Sequence, residues 1–360
     1  MSTIYDVARS AGVSPKTVSR VINGDAPVNA RTRAAVLAAM GDLDYVPSSA
    51  ARAMRSQRTG LIGLVTGAIS GRPASGAATG LPDLQIVQGI QRSLAAQGLT
   101  LLISDTGGDI AAAPRLFRTL QEHRVEGVIY VASHHMRIDL PEMAGPGAGG
   151  PAPLLLVNAF DDAGAPCVLP DEIHGQETLT AALIAEGHRR IGYLTLPPAL
   201  RAQPLRLEGY RRALATAGLP FDPALVAEAD RDGGPEEQEA IGAAIDAMMA
   251  AAEPPTVLLC GNDRLAVAVY GLLRARGLAV PERMSVAGYD DYRMISEILH
   301  PPLTTMELPY LRMGETAAQL MIGALRGDAP LARGTRTEVR GALRWRDSVT
   351  PGPARPQGQR

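Results

Sequence analysis

Lys16 and Arg20 stand four residues apart in the stretch PKTVSRVIN, a spacing that brings both cationic side chains to one face of a helix. Both could donate to guanine O6 and N7 across a DNA major groove. Ser14, Thr17, Ser19, Asn23 and Thr32 add hydroxyl and amide groups suited to phosphate oxygens, contacts that position a reader without specifying sequence. The charge distribution agrees. Residues 1–60 carry eight basic side chains (Arg9, Lys16, Arg20, Arg31, Arg33, Arg52, Arg55, Arg58) against four acids (Asp6, Asp25, Asp42, Asp44), a surplus of four. The other 300 residues then hold a deficit of six, for a net charge of −2. A small basic head on an acidic body suits a nucleic-acid reader joined to a separate sensing part.

Three short helices must position those groups. Thr3 and Asp6 have capping-box spacing, so a helix begins near Ile4, with Ile4, Val7, Ala8 and Ala11 on one face. Gly12 supplies the positive φ of a tight turn, and Val13 plugs the small core. Ser14 caps a second helix with Pro15 in its first turn, and Val18, Val21 and Ile22 form its buried stripe. A third helix starts after Asn29, runs through Val36, Met40 and Leu43, and stops before Pro47. The pattern is a helix-turn-helix unit with its second helix polar and basic outside.

At 360 residues the chain is long enough for two or three compact units. Hydrophobic residues make up 46%, and no run approaches the roughly 18 uncharged apolar residues that span a bilayer. The N-terminus lacks a basic segment followed by an apolar stretch, and Cys167 and Cys260 are too far apart in sequence to suggest a disulfide framework. A cytoplasmic protein without membrane contact, metal or other cofactor is expected. The adjacent His134 and His135 would point apart on a strand and make a poor metal pair, and the six histidines are assigned structural or surface roles. GPGAGG at 145–150 has glycine spacing without the preceding strand and following helix that phosphate binding needs. No P-loop, nucleophile elbow or zincin pattern appears, so no enzyme is expected.

The run TIYDVARSAGVSPKTVSRVING, followed by VNARTRAAVLAAMGDLDYVPSSAARAMRSQRTGLIGLV, resembles the lactose-repressor (LacI/GalR) family of bacterial transcription regulators. The likeness covers head and hinge almost residue by residue and continues more loosely to about residue 349. It implies a homodimer on a pseudo-palindromic double-stranded operator, answering to a small sugar or sugar derivative and repressing carbohydrate-utilisation genes. It also implies hinge helices in the minor groove, where Met54 takes the position of an apolar wedge and Arg52, Arg55 and Arg58 neutralise phosphates. With these, the DNA-binding set is Ser14, Pro15, Lys16, Thr17, Ser19, Arg20, Asn23, Thr32, Arg52 and Met54. A hinge helix of seven or eight residues is marginal alone and needs a twin and DNA to order it.

From Gly60 onward, apolar runs alternate with helical ones. GLIGLV, LTLLIS, EGVIYVA and PLLLVN read as strands of one half, and RRIGYLTL, TVLLCG and SVAGYD as strands of a second. Leu84, Val87, Ile90 and Leu94 recur at helical spacing between the first two. Near-continuous apolar strands between helices argue for parallel sheets covered on both faces. The expected fold is α/β: a helix-turn-helix head (1–46), a hinge (47–59) and a periplasmic-binding-protein-like body (60–349) of two doubly wound lobes, then a disordered tail (350–360). The N-lobe is expected at about 60–160 and 309–327, and the C-lobe at about 161–308 and 328–349. The family crosses between lobes three times, here expected near 159–162, 307–310 and 326–329.

The resemblance places effector contacts at Arg206, Asn262, Asp290 and Tyr310, with Asp263 capping the helix after Asn262. Arg and Asp offer paired, oriented hydrogen-bonding atoms for a polyol. His174 and Arg231 fall at cleft positions where the sequence departs from the lactose-responsive pattern, and an added arginine would suit an acidic or phosphorylated sugar. Corepression by such a metabolite is an alternative to induction. A solute receptor on the same body would lack the basic head. A sugar-processing enzyme would need paired carboxylates or a metal set. The C-terminus lacks the leucine heptads of a tetramerising coiled coil, which favours a dimer.

Overall fold

The computed structural model describes residues 2–24, 27–46, 58–67, 69, 82–139, 152–229 and 234–353. Contacts divide the chain into two compact units, Met1–Gly60 and Leu61–Arg360. In the first, α1 (Ile4–Ser10), α2 (Pro15–Asn23) and α3 (Ala30–Asp42) are each set by local chemistry. The Asp6 carboxylate accepts from the Thr3 backbone N–H at 3.0 Å, and the Thr3 hydroxyl accepts from the Asp6 N–H, closing the capping box. Gly12 turns the chain at φ +65°, and Ser14 Oγ accepts from the Thr17 N–H at 3.2 Å to start α2. Asn29 does the same for α3 through the Thr32 N–H at 2.7 Å. Val7, Ala8, Val18, Val21, Val36 and Ala39 form the core, with Val13 packed against it.

The second unit holds two six-stranded sheets. The first comprises β1 (Leu61–Thr66), β2 (Thr100–Asp105), β3 (Gly127–Arg137), β4 (Leu154–Phe160), β5 (Cys167–Pro170) and β11 (Arg336–Val339) in the order β11-β5-β4-β3-β1-β2. All its pairings are parallel. One face packs on α4 (Pro82–Ala95) and α11 (Tyr310–Arg326) through Ile86, Ile90, Leu94, Met313 and Met321. The other packs on α5 (Ala113–Glu122) through Phe117 and Leu120. Burial on both faces is why the central strands β1, β3 and β4 read as near-continuous apolar runs.

The second sheet comprises β6 (Ile191–Thr195), β7 (Val226–Glu228), β8 (Val257–Cys260), β9 (Ser285–Asp290), β10 (Thr304–Glu307) and β12 (Leu343–Arg344), ordered β12-β10-β9-β8-β6-β7. Only β12 runs antiparallel to its neighbour. One side is covered by α6 (Glu172–Ala185) and α7 (Ala202–Thr216), the other by α8 (Pro235–Met249) and α9 (Asp263–Ala275), and a short α10 (Arg293–Ser296) follows β9. Helices α6 and α7 approach closely because Gly209 has no side chain: a Cβ there would run into the Ile173 carbonyl oxygen and the Gln176 side chain.

Two lobe passages differ from the expectation. β5 and β11 pair with each other at the edge of the first sheet. The first passage therefore follows Pro170 rather than lying at 159–162, and the third falls between Val339 and Leu343 rather than at 326–329. Both strands are only four residues long, too short for periodicity to announce them. The second passage joins Glu307 to Tyr310. The tail expectation also changes at its start. Thr350 O lies 3.0 Å from His188 Nε2, and the Gly352 N–H donates to Glu186 O at 2.8 Å, so the chain is packed beyond residue 350. Residues 354–360 lie outside the described residues.

Gly209→Ala is expected to cost about 1–3 kcal/mol, as overpacking does, while Gly323→Ala, within a helix but with open space at its missing Cβ, stabilises by up to about 1 kcal/mol. Urea denaturation of the two variants checks the opposite signs.

Candidate functional site

On the head, Lys16 and Arg20 are exposed on α2, while Val18 and Val21 of the same helix are buried beneath. Pro15, Thr17, Ser19 and Thr32 are half-buried and Ser14 is exposed. The Ser14 and Thr17 hydroxyls are 3.0 Å apart and hydrogen-bond each other, which fixes their orientation at the start of the helix. The Asn23 side chain, Arg52 and Met54 lie outside the described residues.

In the body, polar groups converge on Arg206, a residue of α7 that is only 3% exposed. Its Nε donates to Glu172 Oε2 at 2.7 Å and its Nη1 to Gly261 O at 2.5 Å. Its Cζ stacks 3.7 Å from the Tyr289 ring centroid, and Nη2 lies 3.7 Å from Asp290 Oδ1. A guanidinium removed from water needs such partners, since a buried charge without them costs several kcal/mol. Burial opposes the cation, but Glu172, Tyr289 and Asp290 outweigh it and hold Arg206 charged. Burial likewise opposes ionisation of Glu172, yet Arg206, with His135 beside it, brings its carboxyl down to about 2.

Asp290 ends β9 with φ +119°, and Asp291 follows at φ +50°. Two consecutive non-glycine residues at positive φ mark a strained strand end of the kind found at binding sites. Burial pushes the Asp290 carboxyl well above the usual carboxylate range; Arg206 pulls it down, and the Asp263 and Glu172 carboxylates push it further up. The cap of α9 is Asn262, not Asp263: Asn262 Oδ1 accepts from the Leu265 N–H at 2.7 Å. Asp263 instead turns inward, accepting from Thr305 Oγ1 at 2.6 Å and the Tyr292 N–H at 2.8 Å, over the space left by Gly288. Burial drives its carboxyl up to about 7.

The structure thus gathers Arg206 and Asp290, with Asn262 next to the Gly261 carbonyl that Arg206 binds. Tyr310 starts α11 and packs against apolar clusters of both lobes. His174 lines an adjoining cavity of about 350 Å³, which Glu172 also lines. Arg231 lies outside the described residues. Sequence reasoning missed Glu172 and His135. Glu172 looks like an ordinary acid in a helix's first turn; the available signal was that a buried Arg206 must have a counter-charge. His135 does alternate with His134, as expected, but its inward position carries it to the cavity rather than to a structural or surface role. Among the described residues there is no group of three or more His, Cys, Asp or Glu that could hold a metal, and no helix long and apolar enough to cross a membrane.

Residues 3–48 match the family described as bacterial regulatory proteins, lacI family, and residues 180–349 match a periplasmic binding protein-like domain. The chain is 31% identical to the HTH-type transcriptional repressor PurR of Vibrio atlanticus (strain LGP32), over 89% of this chain and 91% of the relative. It is 32% identical to the ribose operon repressor of Escherichia coli (strain K12), over 89% and 92%. Among solved structures, the lac repressor dimer bound to operator and the anti-inducer ONPF is similar with a TM-score of 0.76 at 26% identity, covering 97% of this chain and 99% of that one.

The Glu172 carboxyl has an ordinary value of 4.5 and sits at about 2 in the fold, so it contributes stability above pH 4.5 that disappears as the pH falls toward 2. Glu172→Gln should lower the unfolding free energy of the body at pH 7 by about 3–5 kcal/mol, the cost of breaking a buried pair. It should also flatten the loss between pH 4.5 and 2, as read from denaturant titrations across that window.

Proposed function

The chain belongs to the lacI family of bacterial regulatory proteins, and from that premise we propose that it is a transcriptional repressor that binds a pseudo-palindromic operator as a homodimer and releases it on binding a small sugar-like effector. The observation that carries this reading is the α2 surface, where Lys16 and Arg20 stand exposed on a helix whose apolar face is wholly committed to the head's core. Both side chains donate to base edges, Arg20 with the forked geometry that matches guanine O6 and N7. Ser14, Pro15, Thr17, Ser19, Asn23 and Thr32 set the helix against the sugar-phosphate backbone. Residues 1–46 are the reading head and 47–59 the hinge, whose Met54 wedges a base step in the minor groove while Arg52 neutralises phosphate.

In the body, residues 60–349, the effector lies between the lobes. Asp290 accepts from its hydroxyls, Arg206 and Asn262 fix its orientation, and Tyr310, His174 and Arg231 border it. The reaction is binding rather than catalysis, and it takes place with the chromosome in the cytoplasm. Effector must bind one lobe arrangement better than the other to loosen the hinge, and operator must then weaken effector by the same factor. The relatives' names support this reading: one is the repressor of a ribose operon, and the solved lac repressor is bound to operator.

Fluorescence anisotropy on an operator recovered by selection from random duplexes tests the head. Arg20→Ala should lose about 1–3 kcal/mol of discrimination at one base pair of each half-site; selectivity equal to wild type would remove Arg20 from the groove. Asp290→Ala should retain operator affinity while losing release by effector.

A further inference from the structure

Two of the five N–H donors of Arg206 are committed within the protein, to Glu172 and the Gly261 carbonyl, and Asp290 faces Nη2 at 3.7 Å. The adjoining cavity of about 350 Å³ offers cations that are not committed. Of its four arginines, Arg340 pairs with Asp171 at 3.0 Å and Arg212 with Glu208 at 2.7 Å. Arg201 and Arg336 pair with no carboxylate among the described residues. Their guanidinium carbons lie 5.9 and 5.0 Å from the centroid of one ring, Phe160.

The two arginines come from different lobes. Arg201 immediately precedes α7, and Arg336 begins β11 of the first sheet. A third group faces the same space. His135 is 7% exposed, meets the Phe160 ring edge-on at 5.9 Å, and has an Nδ1 with no hydrogen-bond partner; its nearest carboxylate oxygen, Glu172 Oε1, is 3.7 Å away. Glu172 is itself neutralised by Arg206. The carboxylates Glu177 and Glu338 also line the cavity, so a ligand must meet the arginines closely rather than answer a diffuse positive field.

We infer that this cavity takes an oxyanion-bearing small metabolite, a sugar acid or a phosphosugar, whose carboxylate or phosphate sits between Arg201 and Arg336 with its carbon skeleton against Phe160. Guanidinium groups bind both oxyanions through paired N–H donors, and an unpartnered buried imidazole nitrogen supplies one more polar contact. Because the two arginines belong to different lobes, a bound oxyanion ties the lobes together, which gives it the differential affinity that a population shift needs. The inference rests on reading the body as the effector-binding part and names the chemical class of that effector.

The test is thermal melting of the full-length protein, at constant ionic strength, with D-gluconate, D-glucuronate, D-glucose 6-phosphate and D-ribose 5-phosphate, each beside neutral D-glucose and D-ribose. At least one oxyanion should raise Tm by about 2–4 °C where its neutral counterpart does not, and the rise should vanish in the doubly substituted R201Q/R336Q protein. That variant's own cooperative transition without ligand shows that it folds. A carboxylate response without a phosphate response, or the reverse, identifies which oxyanion the cavity takes. The inference is overturned if neutral sugars stabilise as well as the anions, if no oxyanion stabilises the wild type, or if the rise persists in the variant. Operator binding measured on the same samples separates the two readings. Release of a bound operator by a neutral sugar alone sinks the oxyanion and leaves the repressor standing, whereas absence of any selective DNA binding sinks the repressor.

Discussion

A guanidinium stripped of water must be met by a carboxylate, a carbonyl and a ring face in one small volume, and the C-lobe of the body is arranged around meeting that demand at Arg206. Glu172 can reach Nε only because α6 and α7 close up at Gly209, where the missing side chain lets one helix touch the other's backbone. The Gly261 carbonyl at the end of β8 and the Tyr289 ring in β9 complete the shell. Four elements distant in sequence are thus held in register by one charge. The arrangement resists loosening, because separating any partner leaves a buried charge poorly compensated.

That rigidity sets what the neighbouring groups can do. Asp290 is held at a positive φ at the mouth of the cluster, with its carboxyl shifted upward by burial and by nearby acids. A second neutralised carboxylate, Glu172, separates the Arg206 cluster from the cavity that His135 and Phe160 border. One wall of that cavity belongs to the sheet of the first lobe and the other to helices of the second, so any ligand in it senses how the lobes stand. The head uses a different physics. Its small core consumes every buried apolar side chain of α1, α2 and α3, and the caps consume the helix ends, which leaves the cationic side chains of α2 free to face a partner.

The head was legible almost in full, because caps, turn glycines and a first-turn proline act within four residues of one another. Thr3, Gly12, Ser14 and Asn29 do in the fold what their spacing announces. The long parallel strands were legible for a related reason: burial on both faces leaves a near-continuous apolar run, as at the start of β4. The short strands β5 and β11 were not, since four residues, proline-ended in β5 and half-exposed in the edge strand β11, carry no period. Missing them shifted two lobe passages. Likewise β3 runs on to Arg137, past its apolar run, through an irregular register with β4 between Val131 and Met136, and that extension delivers His135. The helix cap at Asn262 rather than Asp263 is a one-residue distinction that the NDR sequence leaves open.

Sequence alone determined the properties that depend on neighbours along the chain: the three-helix head with its exposed Lys16 and Arg20, the α/β alternation of the body, and the family that both belong to. Tertiary structure decided which charges meet. Glu172, Arg206 and Asp290 are separated by 34 and 84 residues, and their pairing comes from a helix approach and a strand end that no local pattern encodes. The physical reason is range: capping and periodicity act over one turn, whereas the cost of burying a charge is offset only by whatever the whole fold brings to it.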